Sequence, residues 1–360
     1  MSECAVERLS RDAIAHAVAD DLRLSAHTTL RVGGPAQRFV VARAEQELID
    51  TVSAADAAGT PVLVLGGGSN LLVADEGFPG VVVRVAISGL DADVSACGGA
   101  VARVGAGECW DDFVAYAISQ EWSGVEALSG IPGSVGATPI QNVGAYGVEV
   151  AQFISSVRTF DRVERAVRTF AAADCGFLYR GSRFKSEPGR YLVLSVTFHL
   201  PLGSLSAPVG YVELARELGV ELGQKADAHE VRTAVLKIRG RKGMVLDEPD
   251  HDTWSAGSFF TNPIISASEA EALPPEAPRF PVADGLVKTS AAWLIQRAGF
   301  QRGHRLGEAG LSTKHVLALT NRGQATAGDV VALARQVRDG VRETFGITLV
   351  PEANLVGVTL

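Results

Sequence analysis

The spacing of hydrophobic and polar positions changes several times along the chain, and each change marks an element. RFVVA predicts a strand, EQELIDTVSAADAA a helix stopped by Gly59, and PVLVLGGGSN a buried strand running into glycines. NLLVADEGFPGVVVRV predicts a β-hairpin turning between Gly77 and Gly80. From Leu90 to Leu200 the pattern is mostly that of strands, with one helix at ECWDDFVAYAISQ. After YLVLSVTFHL, the segments TAVLKIRG, KTSAAWLIQRAG and ATAGDVVALARQVRDGVRETFG predict helices. In the last of these Val330, Ala334, Val337, Val341 and Phe345 share one face, so it should pack on a core. Two short strand-like pieces, ITLV and ANLVGV, follow.

One stretch has no period. GIPGSVGATPIQNVGAYG, residues 130–147, carries five glycines, two prolines and no charge. With GGGSN it makes two glycine tracts. A dinucleotide fingerprint would open a helix after its glycines, whereas GGGSN continues into strand-like sequence. Two readings remain open. The tracts are surface turns, or they are loops whose successive N–H groups cradle an anion while glycine lets the main chain approach it. Surface turns do not explain why the second tract avoids charge throughout; a loop against a flat apolar ligand does.

Composition narrows the choice. The chain has 360 residues, 47% hydrophobic and 21% charged, enough for two or three globular domains. A net charge of −8 excludes a broad nucleic-acid-binding face, so an anionic ligand needs a local basic cluster. KIRGRKG supplies one, with Lys237, Arg239, Arg241 and Lys242 at the end of a helix pattern; a solvated face is the competing reading. Cys4, Cys97, Cys109 and Cys175 lack metal spacing and predict free thiols. Asp247, Asp250, His251 and Asp252 read as a polar loop, and no metal site is expected. MSECAVERLSRDAIAHAV lacks the apolar centre of a secretory signal, and no apolar run approaches a membrane span. A cytoplasmic protein is expected.

LRVGGPA (30–36), VLGGGSNLLV (64–73) and the 130–147 tract resemble the FAD-binding segments of the bacterial UDP-N-acetylenolpyruvoylglucosamine reductase family. YRGSRFK (179–185), AGSFFTNP (256–263) and VPEANLVG (350–357) are similar to its catalytic segments, in the family's order. The resemblance implies an α+β protein, with a two-part FAD-binding domain of the vanillyl-alcohol-oxidase (PCMH) type and a separate α/β substrate-binding domain. The expected divisions are 1–88 with 346–360 returning to it, 89–236, and a substrate domain at 237–345. The implied reaction passes hydride from NADPH through FAD to the enolpyruvyl ether of a UDP-sugar, giving UDP-N-acetylmuramate for peptidoglycan. It requires no membrane or nucleic acid, and a monomer is expected. A flavin oxidase or dehydrogenase of the same fold and a non-catalytic nucleotide-sugar-binding flavoprotein are the alternatives.

The implied cofactor residues are Gly66, Gly67, Gly68, Ser69 and Asn70 from the first tract. From the second come Gly130, Ile131, Pro132, Gly133, Ser134, Gly136, Ala137, Gln141, Asn142, Gly144, Ala145, Tyr146 and Gly147. Tyr211, Arg239, Lys242, Asn262 and Lys288 are implied for the substrate, Tyr211 in a branch whose inserted segment closes over it. MVLDEPDHDTW lengthens the segment before Ser258, and Phe280 stands where some relatives have tyrosine. Three residues are implied for catalysis. Arg180 offers a fixed guanidinium fork to a carboxylate; its ordinary reading is a strand-end ion pair. Glu352 is the only charge in FGITLVPEANLVGV, and apolar surroundings would raise its pKa so that it could donate a hydrogen bond; otherwise it is a solvated strand-end acid. Ser258 could protonate a carbanion-like carbon; otherwise it is a turn serine, and AGSFF is not a hydrolase elbow. Neither glycine tract holds His or Cys, so the flavin should be non-covalent. The purified protein should be yellow, and acid precipitation should release FAD into the supernatant; flavin retained in the pellet would contradict this.

Overall fold

The computed structural model describes residues 22–360, so Cys4 and the opening segment lie outside the described residues. By its contacts the chain forms two compact units. The first contains Ala36–Gly67 and Pro79–Val245; the second contains Arg23–Pro35, Gly68–Phe78 and Leu246–Leu360. KIRGRKG therefore groups with the first unit, and the end of the chain groups with the segment after the first glycine tract.

In the first unit the Glu45–Ala57 helix buries Leu48, Val52 and Ala55, one stripe at helical spacing. The Glu47 carboxylate accepts the main-chain N–H groups of Arg43 and Ala44, at 2.7 and 3.3 Å, at the helix start. The helix covers a sheet in which Pro35–Ala42, Phe78–Val85 and Val62–Leu65 are neighbours. A second, five-stranded sheet runs Ala166–Ala171, Ile154–Asp161, Tyr191–Leu200, Gly99–Gly105, Leu90–Ser95, with each pair antiparallel. Along Tyr191–Leu200 the apolar residues Leu192, Leu194, Val196, Phe198 and Leu200 are buried on one face, and Val193 and Ser195 are buried on the other. The Trp110–Ser119 helix closes this core. Trp110, Phe113 and Phe198 form an aromatic cluster, and the Trp110 indole N–H donates to the Leu128 carbonyl at 3.0 Å. A smaller apolar cluster joins Val209 and Leu214 to Val231, Val235 and Ile238 of the Ala228–Arg241 helix.

In the second unit the Ala327–Phe345 helix has Val330, Ala334, Val337 and Val341 fully buried, with Phe345 packed at the margin. Thr326 and Asp329 form a capping box at its start, and the Asp75 carboxylate also accepts the N–H groups of Ala327 and Gly328. Gly346, in the left-handed conformation at φ 72°, ends it. The Ala291–Arg297 helix contributes Leu294 and Ile295 to the same core.

The expected hairpin at 70–85 does not form. Leu71–Val73 pairs in parallel with Asn354–Val356, and Phe78–Val85 pairs in parallel with Val62–Leu65. The chain does turn at Gly77 (φ 82°), but a Cβ there would lie 1.8 Å from the Pro35 carbonyl oxygen. The turn is therefore held against another segment, and its two arms leave for different sheets. Of the terminal pieces, ANLVGV holds the Asn354–Val356 strand, whereas ITLV buries Ile347 and Leu349 without joining a sheet. Cys97, Cys109 and Cys175 form no disulfide among the described residues.

Two glycines with left-handed backbone separate the cost of conformation from that of contact. Gly346→Ala meets nothing within 4 Å, and should cost only the left-handed penalty of about 1–2 kcal/mol. Gly68→Ala (φ 64°) would add a Cβ 1.8 Å from the His27 carbonyl oxygen, so its unfolding midpoint in urea should fall further; equal falls would refute the contact.

Candidate active site

Residues 130–147 form a tied-down segment of the first unit. The Val135 and Gly136 N–H groups donate to the Glu108 and Ala106 carbonyls, at 2.8 and 2.9 Å. Val135 is fully buried, while Ile131, Ile140, Val143, Ala145 and Tyr146 pack against the core. Part of the tract's avoidance of charge is therefore owed to the protein's own interior. Glycines of both tracts stand at close contacts. A Cβ at Gly67 would stand 2.6 Å from the Gly133 Cα, one at Gly66 2.6 Å from the Ser134 hydroxyl, and one at Gly136 2.5 Å from the Ala106 Cβ. The two tracts thus abut, main chain to main chain. Gly66, Gly67, Ile131, Gly133, Ala137 and Gln141 remain half-buried and Pro132 is exposed, which leaves accessible, uncharged backbone along the pair.

Asn142 is buried in left-handed backbone (φ 47°), and its amide is used by protein partners. It donates to the Glu149 carboxylate and the Leu178 carbonyl at 2.8 and 3.1 Å, and accepts the Ala151 N–H at 3.1 Å. These bonds fasten the tract to the 178–181 turn, where Arg180 sits at φ 52°, a conformation a side chain rarely adopts. The Arg180 guanidinium donates to the Gly144 carbonyl at 2.7 Å, and a Cβ at Gly144 would approach its terminal nitrogen to 3.1 Å. Arg180 is thus a turn residue laid on the glycine tract rather than the end of a strand.

The tip of the tract meets the sugar-nucleotide candidates. Tyr146 (φ 52°) packs edge-on against Tyr211, with ring centroids 5.5 Å apart, and reaches Arg239. KIRGRKG divides. Lys237 and Arg241 are exposed and both pair with Glu217, while Lys242 pairs with Glu213 at 2.5 Å. Arg239 forms no ion pair among the described residues. One of its terminal nitrogens donates to the Met244 carbonyl at 2.9 Å, and its buried Nε has no partner. Burial lowers its pKa against the opposing pull of Tyr146 and Asp111, yet a guanidinium stays charged under any ordinary condition. Lys237 and Arg241 are the solvated face, whereas Arg239 is half-buried and has no carboxylate partner among the described residues.

In the second unit, AGSFF and VPEAN lie side by side. The Glu352 N–H donates to the Phe259 carbonyl at 2.7 Å, and the Thr261 N–H to the Val350 carbonyl at 3.0 Å. Ser258 and Glu352, both half-buried, are thereby held on adjacent backbones. Asn70 joins them from the first glycine tract: its amide donates to the Glu352 carbonyl at 3.2 Å, and its carbonyl accepts the Asn354 N–H at 2.9 Å. Gly68 is buried and Ser69 half-buried just before it. The Asn262 side-chain oxygen accepts the Ala291 N–H at 3.0 Å, and Lys288 lies between Ile264 and Phe280 in a small sheet. The acidic loop is consumed by ion pairs, Asp250 with Lys314 and Asp252 with Arg322.

Residues 248–356 match the model of the UDP-N-acetylenolpyruvoylglucosamine reductase C-terminal domain, and residues 36–182 match that of an FAD binding domain. The chain is 60% identical to UDP-N-acetylenolpyruvoylglucosamine reductase of Cutibacterium acnes over 344 residues, which cover 95% of this chain and 91% of that one. The protein of the same name from Thermobifida fusca is 54% identical, across 95% of this chain and 99% of its own. The chain belongs to the UDP-N-acetylenolpyruvoylglucosamine reductase family. Among solved structures, the reductase from Thermus caldophilus aligns with a TM-score of 0.63 and 30% identity, over 93% of this chain and 98% of that one. Family membership makes the protein an FAD-dependent oxidoreductase that draws on NADPH, and the residues fit a dinucleotide. The abutting tracts offer accessible, uncharged main chain. Sequence reasoning missed Asp111 and Glu149, which hold Gly130 and Asn142 through their carboxylates. Asp111 reads in sequence only as an acid suited to the first turn of a helix.

Burial pushes the Tyr146 phenol up from 10.0 to about 12, with Arg239 acting against the shift. The folded state therefore keeps a proton that the unfolded chain loses above pH 10.0, and this contribution to stability is lost as pH rises towards about 12. Subtracting the stability–pH curve of Tyr146→Phe from that of the parent should isolate a decline confined to this window. A flat difference would show that the phenol is not shielded.

Proposed function

We propose that this chain reduces UDP-N-acetyl-3-O-(1-carboxyvinyl)-glucosamine to UDP-N-acetylmuramate, in the cytoplasm and as a monomer, with Arg180, Ser258 and Glu352 as its catalytic residues. The observation that carries the reading is 60% identity over 95% of the chain to a protein named for this reduction. The match at 248–356 extends it beyond the flavin domain, and so favours a reductase over an oxidase that shares only that domain or a binding module. Bound FAD supplies the relay of hydride from NADPH to the methylene carbon of the enol ether.

The remaining tasks fall to side chains. Hydride addition drives negative charge into the substrate carboxylate, which calls for preorganised positive groups and donors. Arg180, fixed by its turn and by the Gly144 carbonyl, presents a guanidinium fork to that carboxylate. Glu352 in its neutral form donates a hydrogen bond to the developing charge, from a backbone held by Phe259 and Asn70. Ser258 protonates the carbon beside the carboxylate. Its hydroxyl makes no hydrogen bond among the described residues, so its proton is uncommitted, and the left-handed Gly257 (φ 73°) sets the turn that carries it. Arg239 and Lys242 bind the diphosphate, Tyr211 closes over the sugar-nucleotide, and Asn262 and Lys288 are further ligands of the substrate. Asn262 caps a helix through its oxygen, which leaves its NH₂ to donate. The glycine tracts 66–70 and 130–147 hold FAD without a covalent bond.

Rapid-mixing absorbance separates flavin reduction by NADPH from reoxidation by the UDP-sugar. Ser258→Ala should retain FAD and normal reduction, while reoxidation should slow by ~10²–10⁴, the range for a lost general acid. Cysteine at 258 should recover part of the loss, and Glu352→Gln, which keeps a donor, should lose less than Glu352→Ala. Equal slowing of both half-reactions in Ser258→Ala would remove Ser258 from its role.

A further inference from the structure

Asp111 touches three elements of the first unit at once. It lies in the first turn of the Trp110–Ser119 helix. One carboxylate oxygen accepts the Gly130 N–H at 2.6 Å, where the second glycine tract begins. The same carboxylate takes both ends of the Arg232 guanidinium, at 2.6 and 2.8 Å, from the Ala228–Arg241 helix. The pair is mostly shielded, with side-chain exposures of 18% for Arg232 and 20% for Asp111. Arg232 and Arg239 are two helical turns apart and so share a helix face. Gly130 is the surface on which Arg239 rests: a Cβ there would lie 3.4 Å from the Arg239 Nε and 2.7 Å from a Leu236 methyl.

We propose that Asp111 is a positioning residue for the sugar-nucleotide, holding Gly130 beneath Arg239 while Arg232 keeps the Asp111 carboxylate from pairing with Arg239 itself. The inference rests on the reading of Arg239 as a ligand of the substrate diphosphate. Arg232 occupies both carboxylate oxygens, so Arg239 keeps its guanidinium for an external anion. Without Arg232 the shielded carboxylate would turn to the nearest remaining cation and compete with the substrate. Without the Asp111 charge, the Ala228–Arg241 helix would lose its tie to the tract, and Arg239 would lose its register over Gly130. A purely structural staple would instead weaken FAD retention, thermal stability and both half-reactions together.

The test uses the FAD-loaded enzyme with NADPH and the UDP-enolpyruvyl sugar. Asp111→Asn retains an acceptor for the Gly130 N–H and loses the charge. It should keep its flavin absorbance and its rate of reduction by NADPH within about twofold, while KM for the sugar-nucleotide rises about tenfold, the scale of one charged hydrogen bond. Arg232→Gln should shift KM the same way, and it carries the test if Asp111→Asn does not fold. In an Arg239→Lys background, either substitution should add less than about twofold, because all act through one group. An unchanged KM in both variants, or full multiplication with Arg239→Lys, would overturn the proposal. If Arg239→Lys alone leaves KM unchanged, the reading of Arg239 as a substrate ligand fails first, a result distinct from the other two.

Discussion

The approach of Gly67 to Gly133, main chain against main chain, governs the first unit. With no room for a Cβ on Gly67, the first tract cannot accept a side chain at the contact, and the second tract bounds its course. The strand Val62–Leu65 delivers one tract and the hydrogen bonds to Ala106 and Glu108 secure the other, so the sheet core sets their meeting point. The accessible, uncharged backbone along the pair follows from that contact. So does the position of Arg180, which lies on Gly144 of the same tract.

The second unit uses main chain in a different way. Ser258 and Glu352 come from segments far apart in sequence, and the bond between the Glu352 N–H and the Phe259 carbonyl makes them neighbours. Their spacing is therefore a property of backbone pairing, which is stiffer than any arrangement of long side chains and loses little entropy on binding. Asn70 strengthens this from a third segment.

Where apolar period and burial coincide, the sequence was readable. The Glu45–Ala57 helix, the buried face of the Ala327–Phe345 helix, the strand at Tyr191–Leu200 and the strand leading into GGGSN all appear where their patterns place them. The 70–85 hairpin failed because a turn signal says only that the chain bends. Pairing partners are settled by distant segments, here Val62–Leu65 and Asn354–Val356. The glycines were legible as sites of close approach, but not what approaches them, since a glycine facing another glycine reads the same as one facing a ligand. Composition and spacing alone gave KIRGRKG four cations of equal standing, and the family resemblance favoured Arg239 and Lys242 together. Only the acids Glu213 and Glu217, brought across from a neighbouring helix, separate Arg239 from the rest. Asp111 was invisible as a tie because its partners lie 19 and 121 residues away.

The parallel pairing of Leu71–Val73 with Asn354–Val356 has a consequence for biosynthesis. Asn354 bonds to a residue 284 positions earlier, so on the ribosome this ladder stays open until almost the whole described chain has emerged. Until then Leu71–Val73 presents an unpaired edge, a hazard for pairing with the wrong chain. A contact of such long sequence separation is also slow to form, because loop closure precedes any gain from it. The segment that carries Glu352 is the one that closes the ladder, so a nascent chain stalled before it would lack both the closed edge and the acid.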